Sequence, residues 1–286
     1  MQNNEVSSLI SLLDDSDSEI ATAVMDKLCA QGEEVMPLLE SAWRNASEET
    51  QFFRLEHVIA QIQEKTTLAK LKEWVQNGAR DTLTGAYYAT KLLRPNIEFN
   101  HIKKQISDLS REIWVELHPQ LTALEQVRII NQILYGKYKF FGHRLVDSDR
   151  LMLLSDLLQS KEGSQISLSL LYCCIAEELN IPICGINLSQ SAMLGYLDRH
   201  NDRGQDVFFY IDPFNGGLCS KMQLAQVVVR HTMLKKSAEH YLAPCSRQVF
   251  VHRYLRFLAE LYRNTDKPNH HEKVRKGLAI LSSANG

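Results

Sequence analysis

Cysteine, histidine and one carboxylate are the residues of this sequence that could do covalent chemistry. A cysteine nucleophile needs a base, most often a histidine, to take its proton, and an acid to orient that base. Cys173 or Cys174 could supply the sulfur, with His200 or His231 as the base and Asp212 as the acid. Both cysteines lie well inside an apolar segment, away from the electropositive helix end that activates a thiol. We therefore expect them to be inert.

The stretch from Gly163 to Gly217 contains the elements that must position such a site. Residues Ile166–Leu179 are apolar on nearly every face and include no Gly or Pro, which predicts a buried helix. Two runs rich in branched and aromatic residues follow, Ile183–Leu188 and Val207–Ile211, and they predict strands. The second run leads into Asp212 and a Gly-rich turn. In a compact unit this carboxylate would lie beside the start of the buried helix.

Three segments of this stretch resemble a known family. Its landmarks are GSQISLSLLY, AEELNIPICGINL and, as the most specific, IDPFNGG at Ile211–Gly217. Together they are similar to the SirB-type branch of the transglutaminase-like proteins. The resemblance implies a mostly helical α+β fold, with a helix-strand-strand core shared with papain-like cysteine peptidases.

The superfamily's chemistry needs a thiolate at the helix N-terminus, where free N–H groups lower its pKa, together with His and Asp. Counted forward from Gly163 and back from Pro182, the family's Cys position falls on Gln165, and its His position falls on Ser191. Asp212 alone keeps its identity, and a lone carboxylate does not make a nucleophilic site. The SirB-type branch itself usually lacks the Cys. The resemblance thus implies no catalytic residue here.

The same positions are candidates for binding. We expect Gln165, Ser191 and Asp212 to line an inherited cleft, with Asn215 in the turn that follows Asp212. The run ending in His143, FFGH, looks like a Phe-x-Gly-Asn element of the family in which His replaces Asn. That histidine could serve as a base, but a histidine in an anchoring loop is more often a structural hydrogen-bonding residue.

The chain is predicted to have three parts. Residues 1–95 carry paired amphipathic helices that resemble HEAT-type repeats, although a plain helical bundle explains two such pairs more simply. Arg94-Pro95-Asn96 marks a boundary, and residues 96–245 form the transglutaminase-like core, with a helix predicted at Leu218–Arg230. Residues 246–286 resemble a tetratricopeptide-like helix pair, which cannot bury its own face and should pack on the core.

Composition limits the function further. The 286 residues carry a formal net charge of −2, with 44% hydrophobic and 23% charged residues, and no cluster of Lys and Arg. We therefore expect neither nucleic acid nor membrane as a partner. No signal peptide is expected, and the six scattered cysteines predict reduced thiols in a cytoplasm. No pattern of metal ligands or phosphate-binding glycines indicates a metal or cofactor.

These observations favour a catalytically inactive transglutaminase-like protein that binds a protein or peptide partner as a scaffold or regulator. Two alternatives stay open. One is a cysteine-dependent hydrolase or acyltransferase that uses an offset cysteine with Asp212. The other is a plain helical adaptor in which the core is only a spacer.

Overall fold

The computed structural model describes residues 3–15, 17–188, 191–198, 206–231 and 237–282, with the backbone alone at residues 3, 227–231 and 238. The fold is α+β and mostly helical, which confirms the predicted fold class. In these ranges no helix is both long and apolar enough to cross a membrane. The chain divides into two compact units, Met1–Lys70 and Leu71–Gly286. The three-part division expected from the sequence stays a prediction.

The first unit is built from amphipathic helices. In chain order they are α1 (Asn3–Leu12), α2 (Ser18–Gln31), α3 (Met36–Asn45) and the start of α4 (Glu49–Gln76). The Asp17 side chain caps α2 by accepting from the Glu19 N–H, which satisfies a free donor of the first turn. One hydrophobic core joins the helices, and it contains Val6, Leu9, Ile10, Leu13, Val24, Leu28, Val35, Leu39, Leu55, Val58 and Ile62. The HEAT-like character of this unit stays a prediction.

The second unit contains the rest of the elements. Its helices are α5 (Thr82–Lys91), α6 (Phe99–Glu116), α7 (Ala123–Asn131), α8 (Leu154–Ser160), α9 (Gln165–Glu178), α10 (Lys221–His231), α11 (Ala238–Leu242), α12 (Arg247–Asn264) and α13 (Pro268–Ser282). Its strands are β1 (Phe141–Gly142), β2 (Glu162–Gly163), β3 (Ile183–Gly185), β4 (Leu194–Leu197), β5 (Val207–Asp212) and β6 (Gly217–Cys219). A π-helical turn, Gln132–Lys137, extends α7.

The buried helix predicted from the sequence is α9. It begins with a capping box, in which the Ser164 and Ser167 side chains each accept from the other residue's backbone N–H. Every residue from Ile166 to Ala176 is buried, as expected of a helix that is apolar all round. It packs against α5, α6, α8, α12 and β3.

The described strands form a four-stranded antiparallel sheet in the order β3-β4-β5-β6 and a short parallel pair, β1-β2. In the larger sheet Ile183 pairs with Tyr196 and Leu194 with Ile211. The prediction of a helix from Leu218 was wrong at its start. Leu218 pairs with Ile211 in β6, and the helix begins at Lys221, because the Gly216-Gly217 turn folds the chain back along β5 before the helical pattern starts.

The buried carboxylate of Asp149 connects the loop before α8 to Arg94 and to helix α12. The Asp149 carboxylate accepts from the Tyr262 hydroxyl at 2.9 Å and from the Arg94 guanidinium at 3.1 Å. Burial alone would raise the pKa of Asp149, but the bond from Tyr262 and the charge of Arg94 bring it below its usual value. Tyr262 belongs to α12, which packs against α13 and α5. Its hydrogen bond to Asp149 is stronger when the carboxylate is ionised.

We expect Asp149→Asn to lower the free energy of unfolding by about 1–3 kcal/mol at pH 7, because it removes a charged hydrogen-bond acceptor from a buried site. A lowered native pKa contributes stability above the unfolded pKa of about 4, and this contribution is lost as pH falls through the native value. The difference between wild type and variant should therefore shrink in acid. Urea denaturation across pH measures it. The exposed neighbour Asp147→Asn is the control, and an equal loss in both variants would contradict the assignment.

Candidate functional site

The first residue of α9 carries the candidate site. Gln165 follows the N-cap Ser164, and its side-chain Oε1 accepts from the Ser191 hydroxyl at 2.9 Å and from the Ala192 N–H at 3.0 Å. The structure thus brings together Gln165 and Ser191, two of the three positions that the family resemblance indicated. The Ser169 hydroxyl, one turn further along α9, donates to the Ala192 carbonyl oxygen. These bonds hold the segment before β4 against the helix start.

This pair has no nucleophilic chemistry. A thiolate and an imidazole would exchange a proton at such a position, whereas a neutral amide and a serine hydroxyl offer neither an activated nucleophile nor a base. Both groups are also occupied, since the amide oxygen of Gln165 accepts two hydrogen bonds and the Ser191 hydroxyl donates one of them. The arrangement can hold the backbone in place and present polar groups to a ligand.

Asp212 and Ser191 lie toward the same end of the β4-β5 pair, because Leu194 pairs with Ile211. The Asp212 carboxylate accepts from the Phe214 N–H at 3.0 Å, and the carbonyl oxygen of Asp212 accepts from the Gly216 N–H at 2.8 Å. Among the residues described, the hydrogen bonds of Asp212 stay within its own turn and do not reach Gln165 or Ser191. The carboxylate therefore shapes the turn.

The turn after β5 is fixed from outside by two polar side chains. The Tyr135 hydroxyl donates to the Pro213 carbonyl oxygen at 2.6 Å, and the Asn131 amide donates to the Gly216 carbonyl oxygen at 2.9 Å. Tyr172 of α9 in turn donates to Asn131 at 3.2 Å. Burial, and then the charge of Asp212, raise the pKa of Tyr135, so its hydroxyl stays a donor. Gly216 has a φ of +70°, and a Cβ there would collide with Asn131.

Asn215 lies at the tip of this turn. Its side-chain oxygen accepts from the Gly217 N–H at 2.8 Å, and the residue is exposed. The asparagine thus closes the turn locally, as this residue type does where the backbone needs a side-chain acceptor. The exposed side chain of Asn215 lies at the surface of the turn.

Packing against Phe214 explains the glycine of the FFGH run, Gly142. The Phe214 ring lies where a Cβ of Gly142 would be, and β1 pairs in parallel with β2 through Gly142 and Gly163. This pairing places His143 beside Glu162, with 3.3 Å between Nε2 and the carboxylate oxygen, and edge-on to Phe141. The backbone N–H of His143 donates to Gly163. In the part of the chain described, the histidine has no bond to Gln165 or Ser191, and its contacts are those of a structural residue.

The two offset cysteines are buried inside α9, away from its N-terminus. Cys173 and Cys174 lie in the middle of α9, and burial, followed by the charge of Glu177, raises the pKa of both thiols well above its usual value. A buried neutral thiol is a poor nucleophile. Of the two histidines considered as a base, His200 lies outside the described residues, and the side chain of His231 is also outside them.

Sequence reasoning missed Asn131 and Tyr135. Asn131 ends α7, and Tyr135, four residues later, lies in the π-helical turn, a type of turn that often occurs at functional sites. No residue pattern in this segment separates an α-helix from a π-helix. The closest indication in the sequence was the IDPFNGG string. A turn with so specific a sequence indicates that side chains elsewhere in the chain hold it in place.

Comparison with known proteins identifies the type of domain in which this site lies. The profile of the transglutaminase-like superfamily matches residues 100–256, more than half of the 286 residues. The chain belongs to the transglutaminase-like superfamily. The matched range includes α9, both sheets, Gln165, Ser191 and Asp212. The match covers the domain that contains the site and does not by itself establish an activity.

Individual relatives of this transglutaminase-like protein are distant. Mouse (Mus musculus) F-box only protein 21 is 26% identical over 187 residues, which are 56% of this chain and 30% of that protein. A UPF0162 protein of Vibrio cholerae is 23% identical over 182 residues, which are 63% of this chain and 66% of that protein. A UPF0162 protein of Buchnera aphidicola is 26% identical over 188 residues, 64% and 59% of the two chains. No solved structure matches.

Gly142→Ala should destabilise the fold by about 1–3 kcal/mol, because the added methyl group displaces the Phe214 ring from a packed site. The matched control is Gly136→Ala. There the nearest atom outside the local backbone is Gln132 Cγ at 3.7 Å, so alanine fits without displacement. Denaturant unfolding of the two variants measures the difference. Equal stability of the two variants would show that the FFGH run does not hold the turn after β5.

Proposed function

We propose that this transglutaminase-like protein is catalytically inactive and acts as a scaffold or regulatory protein of the SirB type, binding a protein or peptide partner without covalent chemistry. The observation that carries the proposal is the hydrogen bond between Gln165 and Ser191, 2.9 Å long. It occupies the two positions at which the superfamily's chemistry needs a thiolate and an imidazole.

The site suits non-covalent recognition of a peptide. Gln165 is partly exposed at the N-terminus of a 14-residue helix, where backbone N–H groups and the helix dipole favour carbonyl or carboxylate groups. The Ser191 hydroxyl lies beside Gln165, and the partly exposed His143 and the exposed Asn215 are further polar side chains of the second unit that we expect a partner to contact. Peptide backbones offer the donors and acceptors that such groups bind.

The net charge and the free thiols fit the proposed role. Mouse F-box only protein 21 shares the matched region as 30% of its own length, so the domain also occurs as part of a longer protein. A net charge of −2 without a basic cluster supports a protein partner over nucleic acid. The cysteines are all free thiols, which fits a cytoplasmic location. We propose no cofactor.

Thiol labelling at neutral pH tests the proposal against the cysteine-dependent hydrolase or acyltransferase. In the folded wild type we expect Cys173 and Cys174 to react with Ellman's reagent only after denaturation, because burial keeps them neutral. In Gln165→Cys we expect one added thiol that reacts faster than either, because it lies at the partly exposed start of α9. Mass spectrometry of the labelled peptides assigns each site.

The control is Gln165→Ser, which leaves the number of thiols unchanged and should label like the wild type. Rapid labelling of Cys173 or Cys174 in the folded wild type would overturn the inactive assignment. An unreactive Cys at position 165 would show that the proposed cleft is closed to ligands.

A further inference from the structure

A groove separates the C-terminal half of α6 from the π-helical turn, on a part of the second unit that the candidate site does not include. Its volume is about 300 Å³, at the lower end of the range of ligand pockets in proteins. Val115, Ile129 and Ile133 form its apolar surface. Val115 is 71% exposed, so the groove leaves an aliphatic side chain largely uncovered.

The end of α6 gives this groove a negative rim. The helix ends at Glu116 and has no basic residue in its last turn, although Lys or Arg usually offsets the negative end of the helix dipole there. In the described part of the chain Glu116 has no hydrogen bond or ion pair. The Glu116 carboxylate and the last carbonyl groups of this 18-residue helix both make the end of α6 negative, which favours a cation there.

The other charges around the groove are already paired. Glu112 binds Lys137 at 2.5 Å and the Tyr138 hydroxyl at 2.6 Å, and these bonds lower the pKa of Glu112. Lys137 is thus engaged by Glu112, one turn of α6 away from Glu116. Among the described residues, Glu116 is the charged residue of the groove without an ion-pair partner, and it lies beside an aliphatic surface.

We propose that this groove binds a segment of a partner protein that places Ile, Leu or Val on Val115, Ile129 and Ile133 and a Lys or Arg against Glu116. On a helical segment the two side chains would be about three or four positions apart, as in helices that dock into grooves. The proposal rests on the proposed binding function and adds the chemistry of the partner. The groove is a second contact, made by residues other than those at the start of α9.

A displayed library of random peptides, selected on the full chain, tests the proposal. We expect the enriched peptides to share an aliphatic residue and a nearby Lys or Arg. For the best peptide, made synthetically, Glu116→Lys should weaken binding about tenfold or more, the effect of losing a charged hydrogen bond. Val115→Asp should weaken it similarly. Raising the salt concentration should reduce the effect of Glu116→Lys, because the rim is exposed.

The matched control is Glu40→Lys, which makes the same change at an exposed helical position in the first unit and should leave binding unchanged. Melting temperatures verify that all variants fold. Enriched peptides without a cation, no enriched peptide, or equal binding by Glu116→Lys and wild type would each overturn the inference. The labelling experiment decides the inactive assignment separately, so slow thiol labelling with a Glu116-independent result would reject only this groove.

Discussion

Enclosure of α9 on all sides is the constraint on which the second unit depends. Each residue from Ile166 to Ala176 is buried, and helices α5, α6, α8 and α12 surround it together with β3. Its buried hydroxyl groups must find acceptors inside the protein, and Ser167 and Ser169 do so by donating to the carbonyl oxygens of Leu151 and Ala192. These bonds fix the start of the helix against the sheet and leave Gln165 as its partly accessible end.

An amide at this end of α9 behaves differently from the thiol that the family resemblance predicts for an active member. A thiolate would be held by the helix dipole and would respond to pH and oxidation. The Gln165 amide is neutral at all ordinary pH values, and it accepts one bond from a side chain and one from the backbone. Gln165 thus links α9 to the segment leading into β4 through two hydrogen bonds.

The sequence predicted the parts of this structure that follow from local patterns. The apolar run of α9 indicated a buried helix, and of the three positions that the family landmarks indicated, Gln165 and Ser191 are joined by a hydrogen bond whereas Asp212 bonds within its own turn. Glu177 could not be predicted, because from sequence it looks like surface charge. Its carboxylate in fact accepts from the backbone N–H of Thr82 and binds Arg247, and these contacts depend on the packing of α5 and α12 around α9.

The turn after β5 has a consequence for the order of folding. Its hydrogen bonds to Asn131 and Tyr135 join residues 85 and 78 positions apart. Closing such long loops costs conformational entropy before the new contacts compensate for it, which slows folding of the proteins that depend on them. The helices can form from local contacts, whereas the turn after Asp212 reaches its final arrangement only once Asn131 and Tyr135 have come together with it. Any surface built on that turn therefore depends on contacts across about 80 residues of chain.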